Sequence, residues 1–432
     1  MKNIKQIGSI FLLSSLALSI AANAADSISL YKNKPLKDLQ IYVESSGQQQ
    51  KFNGISTVTA TGDVQLQTSS KKKKSDALTF SWKDTWYSSM TLETGAPLNL
   101  AAIMQTGVMA LDVKIDKLDK GGISFKMKCK SDNCNRVVPF TMAARELRGK
   151  GWNKVYVPLT CFLQKQDDFS TTTTPFALDV GGEGGVSIAN IALLAKAPRK
   201  ADLLECPDYK TASITPDMLN EWWSIDWWLP RHDQKRLEAK AIADKGGKID
   251  LLFIGDSITQ GWENEGAPVW EKHYADRNAF AIGFGGDRTE NVLWRLQHGA
   301  VENMSPQLVV MMIGTNNTGH RHEKPAYTAA GIKKLLTELH QRLPESKVLL
   351  LAIFPRDEKP DGGLRQINNG VNEIIKNYAD NKRVFFADIN SVFLTKEGVL
   401  PKEIMPDLLH PNEKGYSLWA EALEPYLQKL LK

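Results

Sequence analysis

Residues 251–262 read LLFIGDSITQGW, four apolar side chains running straight into Gly255-Asp256-Ser257. An apolar run without alternation is what a strand covered on both faces of a parallel sheet requires. Its end on a serine between turn formers has two readings. Ser257 caps the helix that follows, or it is a nucleophile held at the edge of a sheet. Both make the stretch a strand–turn–helix unit, and such a unit needs partners of the same kind.

The second half of the chain supplies them. IDLLFI (249–254), NAFAIGF (278–284), PQLVVMMIG (306–314), KVLLLAIFP (347–355) and RVFFADI (383–389) are all short, nearly continuous apolar runs. Helical segments lie between them. The clearest spans 329–343, where Ile332, Leu335, Leu336 and Leu339 recur at helical spacing. This alternation predicts an α/β fold, a flavodoxin-like doubly wound parallel sheet, over residues 218–432. The Trp-rich EWWSIDWWLPRH (221–232) is too apolar for a free linker and is expected to pack on this unit.

In such sheets ligands sit beyond the carboxyl ends of the strands. There the chain puts Gly255-Asp256-Ser257, then Gly283-Phe284-Gly285-Gly286-Asp287, then Gly314-Thr315-Asn316-Asn317, and before the last helix DLLHPN (407–412). A serine hydroxyl needs a base to attack a carbonyl at neutral pH. His410 suits that role, and Asp407 can hold the imidazole tautomer and stabilise the imidazolium. An oxyanion needs preorganised donors, for which the N–H groups of Ser257 and Gly286 and the Asn316 amide are candidates. Asp256 reads as structural, bonding turn amides. A dinucleotide loop is excluded because the third glycine of Gly-x-Gly-x-x-Gly would fall on Arg288. His320, His322 and Glu323 lack the spacing of a metal motif, so no metal and no cofactor is expected. Trp262, Arg288 and Arg356 are candidates to border the pocket, with surface pairing as the default role of the arginines.

The first half has a different period. MALDVKIDKL (109–118), GISFKMKC (122–129), WNKVYVPLTCF (152–162) and VSIANIALLA (186–195) alternate apolar and polar residues between turn formers. They predict an all-β sandwich of antiparallel strands over 25–207, joined by a linker at 208–217. All four cysteines, Cys129, Cys134, Cys161 and Cys206, lie in this half. Two disulfides are expected, Cys129–Cys134 closing a short loop and Cys161–Cys206 tying the end of the unit back to its body. Trp82, Trp86 and Tyr87 have two possible roles, stacking on a sugar or filling the core.

Lys2, Lys5, an apolar run to Ala21 and Ala22-Asn23-Ala24 read as a signal peptide cut after Ala24, hence a periplasmic or secreted protein. No later run is long enough to span a bilayer. The net charge of +5 over 432 residues is mild. The basic run Lys71 to Lys74 has no interleaved aromatics, which argues against a nucleic-acid partner.

The four blocks GDSIT, GFGGDRTENVLWRL, GTNN and DLLHPN resemble, in order and spacing, those of the SGNH (GDSL) hydrolases, and most closely the branch containing the platelet-activating-factor acetylhydrolase catalytic subunits. The resemblance implies Ser257 as nucleophile, Gly286 and Asn316 in the oxyanion hole, and Asp407 and His410 completing the triad. Ala281 departs from it, since that block commonly begins with Asn. LTFSWKDTWYSSMTLETGAPLNLAA (78–102) and the landmarks after it resemble the galactose-binding-like domain of some bacterial family 3 glucosidases, which implies that the sandwich is a jelly roll. Together these imply a serine esterase removing short acyl groups, acetyl foremost, from carbohydrate. The alternatives are an envelope lipase, lysophospholipase or thioesterase, and a non-catalytic carbohydrate-binding protein. The sequence leaves the oligomeric state open.

Overall fold

A computed structural model describes residues 27–130, 134–163 and 167–431. The signal peptide read over 1–24 lies outside them.

From Ile28 to Leu194 the chain forms an antiparallel β-sandwich. Two long strands, Ala77–Thr94 and Thr172–Leu194, pair with each other and carry most of the rest. The first also pairs with Leu39–Ser45 and Val64–Ser69, the second with Val108–Lys117 and Gly121–Cys129. Register shifts on either side of Gly182 bend the central pair, as bulges do. The alternation read in the sequence decides what is inside. Leu39, Ile41 and Val43 from one strand, and Ile123, Phe125 and Met127 from another, enter a single core. The structure also contains a helix, Thr141–Leu147, that the sequence did not suggest. Seven residues are too few for a helical period to stand out. Disulfides join Cys129 to Cys134 and Cys161 to Cys206.

The second unit is a five-stranded parallel sheet. In chain order its strands are Leu251–Gly255, Ala279–Gly283, Leu308–Met312, Lys347–Leu351 and Val384–Ala387, and their spatial order is second, first, third, fourth, fifth. The apolar runs are continuous because successive residues serve opposite faces. Leu252, Ile254, Val309, Met311, Val348 and Leu350 pack under helices Thr289–Gln297, Pro325–Arg342 and Gly363–Ile375. Leu251, Phe253, Val310, Met312, Leu349 and Leu351 pack under Ala267–Tyr274 and Glu413–Leu430. The helix expected at 329–343 begins earlier, with Pro325 in its first turn, where a missing N–H costs nothing. Its four periodic residues are all buried.

The stretch read as a linker is anchored. Asp208 caps a short helix, Tyr209–Ala212, and the Ser213 hydroxyl donates to Glu323 at 2.7 Å. The Thr289 hydroxyl donates to the Ser213 carbonyl. Among the described residues, no helix is long and apolar enough to cross a membrane.

Candidate active site

The strand order reverses beside Leu251–Gly255, and that switch point is where the crevice of an open α/β sheet lies. The first strand ends there on Asp256 and Ser257. The Asp256 carboxylate accepts the Ile258 N–H at 3.0 Å and so caps the short helix Ser257–Gln260. Its second oxygen has no hydrogen-bond partner among the described residues. Burial accordingly pushes the Asp256 carboxyl up to about 7.

Across the crevice stands the loop before the last helix. Asp407 uses both oxygens on its own turn. One accepts the N–H groups of Leu409 at 3.0 Å and His410 at 2.7 Å, and the other meets His410 Nδ1 at 2.6 Å. Leu408, between them, adopts φ +61°, a left-handed conformation costly for a branched residue. The turn is held in place by the hydrogen bonds around it. His410 Nε2 lies 2.8 Å from the Ser257 hydroxyl oxygen. With Nδ1–H donated to Asp407, Nε2 is left as the acceptor. Burial opposes charge on His410, but the hydrogen bond and charge of Asp407 prevail and hold the imidazole above its ordinary range. Burial likewise opposes charge on Asp407, and the bonds from His410 outweigh it, leaving the carboxyl at about 2.

The oxyanion candidates lie on the neighbouring turns. Gly286 has φ +75°, and a Cβ there would fall 2.0 Å from the Trp223 ring, so the position suits glycine on both counts. Asn316 donates one amide hydrogen to the Asp287 carbonyl at 3.0 Å, which fixes the amide plane and leaves the second hydrogen for a ligand. Asp287 is held from behind by Arg295 and by Trp228 Nε1, at 2.8 and 2.6 Å. Both charges of that pair are buried, where fixed partners are obligatory. Ser257, Asp407 and His410 open on a cleft of about 480 Å³, also lined by Trp227, Gln260, Gly285 and Tyr416.

Two of the three substrate-contact expectations need correction. Trp262 is 1% exposed. It packs with Tyr416 and Trp419, ring centroids at 4.6 and 4.8 Å, because the helix turn after Ser257 directs it to the sheet's apolar face. Arg288 is buried by ion pairs to Glu221 and Glu290 at 3.0 and 2.9 Å, so its charge is committed behind the oxyanion turn. Arg356 stays a candidate at the border: it is half-buried, its charge acts on His410, and it donates to the Thr315 carbonyl at 3.0 Å, bracing the turn that carries Asn316. The sequence reading missed Trp223 and Trp227 as parts of the site. It took their segment only as packing, although four tryptophans within seven residues were a signal. Tyr416 was missed too; its hydroxyl donates to the Ile258 carbonyl at 2.7 Å and pins the last helix to the Ser257 turn.

Residues 253–418 match the GDSL-like lipase/acylhydrolase family, and residues 39–193 match the galactose-binding domain-like family. Platelet-activating factor acetylhydrolase IB subunit alpha1 of Bos taurus is 34% identical over 197 residues, which are 45% of this chain and 82% of that protein. The chain belongs to the GDSL-like lipase/acylhydrolase family. It is a carboxylic ester hydrolase of that family, with an antiparallel β-sandwich ahead of the hydrolase fold. Among solved structures, a GDSL-like lipase from Bacteroides thetaiotaomicron is similar at 23% identity and TM-score 0.38, over 46% of this chain and 97% of that one. The extra C-terminal domain of an exo-1,3/1,4-beta-glucanase from a Pseudoalteromonas species is similar at 19% identity and TM-score 0.36, over 42% and 99%.

Proposed function

We propose that this member of the GDSL-like family is an exported serine esterase that removes short acyl groups, acetyl foremost, from carbohydrate. The observation that carries the chemistry is the unbroken row Asp407–His410–Ser257, with contacts of 2.6 and 2.8 Å. His410 Nε2 takes the Ser257 proton as the oxygen attacks the ester carbonyl. The N–H groups of Ser257 and Gly286 and the Asn316 amide receive the oxyanion. Collapse of the intermediate expels the sugar hydroxyl, which leaves with the proton held by His410, and an acyl-Ser257 ester remains. Water activated by His410 then attacks that ester, releasing the carboxylic acid and restoring Ser257. Two disulfides fit an oxidising compartment, and the galactose-binding-like unit in the same chain supports a carbohydrate substrate.

The test is acetate release from a panel of O-acetylated polysaccharides, beside aryl esters of short and long acyl chains. The expected result is acetate from at least one glycan and a steep fall in rate with chain length. Ser257→Ala should lower kcat by about 10⁴-fold or more. Fatty-acid release from phospholipid with none of these glycans cleaved would replace the carbohydrate reading by a lipase.

A further inference from the structure

The four tryptophans of residues 222–228 divide their loyalties. Trp228 is buried in the hydrolase core. Trp227 lines the cleft beside Ser257 and His410, and its Nε1 donates to the Trp223 carbonyl at 2.8 Å. Trp223 lies against Gly286, the candidate oxyanion glycine. Trp222 turns the other way, into the sandwich. Its seat is floored by Gly122, Gly181 and Gly182, where an added Cβ would come within 2.6, 2.6 and 2.9 Å of the indole. Any larger residue on those three strand positions would expel it.

Seating Trp222 brings a residue of the sandwich against this tryptophan row. Trp86 stands 5.9 Å, centroid to centroid, from both Trp222 and Trp223. Trp223 in turn is 6.4 Å from Trp227. Three indoles therefore run without a gap from the nucleophile to the other unit. Trp86 ends the run with 74% of its surface exposed, whereas Trp82, on the same strand, is 3% exposed. Next to it in the chain is Tyr87, whose hydroxyl donates to Asp179 at 3.1 Å and accepts from Lys126 at 3.2 Å. An exposed aromatic plate continuing a row of indoles from the cleft matches the apolar face of a pyranose.

We infer that Trp86, held in place by Trp222, forms with Trp223 and Trp227 a subsite for the sugar portion of the ester, so that the sandwich completes the catalytic cleft. The inference rests on the carbohydrate-esterase reading above. Contacts at Trp86 lie away from the scissile bond and act by holding the remainder of the glycan. The residue is a determinant of which alcohol is accepted and takes no part in acyl transfer.

The experiment compares full-length wild type, Trp86→Ala and Trp86→Tyr. The substrates are 4-nitrophenyl acetate and the best substrate from a panel of O-acetylated xylan, mannan and pectin oligosaccharides. For Trp86→Ala, the ratio of kcat/KM on the oligosaccharide to kcat/KM on the aryl acetate should fall about tenfold, through KM. Trp86→Tyr, which keeps a ring, should recover most of it. A wild-type enzyme active on the oligosaccharide, with a ratio that Trp86→Ala leaves unaltered, would overturn the subsite and spare the carbohydrate reading. An equal loss on both substrates would make Trp86 a structural residue and overturn it as well. A wild type that cleaves the aryl acetate but no acetylated oligosaccharide would remove the carbohydrate reading itself, and the sugar subsite with it.

Discussion

Asp407 accepts three hydrogen bonds, one from Leu409 and two from His410. Its carboxyl at about 2 stays ionised throughout the working range, and this raises the His410 imidazole above its ordinary value near 6.5. The sign for catalysis follows. His410 must be neutral to accept a proton, so kcat/KM should rise with pH through that elevated pKa. Asp407→Asn removes the charge that favours imidazolium, so the acid limb should move to lower pH while kcat falls by orders of magnitude. A pH–rate profile of the two proteins checks both. An acid limb at the same pH in the variant would mean that another group sets it. These residues were legible in sequence because ester chemistry prescribes a nucleophile, a base and an orienting carboxylate at element ends. Trp262 and Arg288 were not. Whether a side chain near a turn faces the crevice or the core depends on the helix that covers it, and residues far away in sequence decide that: Tyr416 and Trp419 for Trp262, Glu221 for Arg288.

At the scale of elements, the two periods in the sequence foretold two kinds of sheet, because alternate and continuous burial leave different patterns. The bends of the long sandwich strands left no comparable trace. Gly181, Gly182 and Gly184 mark them, but a glycine in a strand announces a bulge or a close approach without saying which. Here the first two do the second job as well, flooring the Trp222 seat. The sandwich is also cross-linked unevenly. Cys161–Cys206 spans 45 residues and Cys129–Cys134 only 5. Chain entropy then assigns the longer link about 4 kcal/mol and the shorter about 2 kcal/mol. Replacing Cys161 and Cys206 together by Ser should lower the urea midpoint of the sandwich transition by roughly twice as much as replacing Cys129 and Cys134. Equal shifts would mean that loop length does not govern the effect.

Across the whole molecule, the units are joined by a segment that belongs to both. Trp228 is sunk in one core and Trp222 lies in the glycine seat of the other. Sequence reading took these tryptophans as packing because composition reports how apolar a segment is and not how many partners it has. The last helix makes a second joint of the same kind, between the ends of the catalytic chain. Asn412 caps it two residues after His410, and Tyr416 fastens it to Ile258. The proposed base and its carboxylate thus stand just ahead of the last helix, whereas the proposed nucleophile stands just past the end of an interior strand. Partial undocking of that helix would carry off two of the three groups together while the strands stayed paired. In a graded urea series, esterase activity should therefore vanish at lower concentration than the far-ultraviolet circular dichroism of the sheet, and removal of the urea should restore it at once. Coincident midpoints would mean that the terminal helix detaches only when the sheet melts. Inactivation ahead of denaturation would make the enzyme its own gauge of fraying at the carboxyl end.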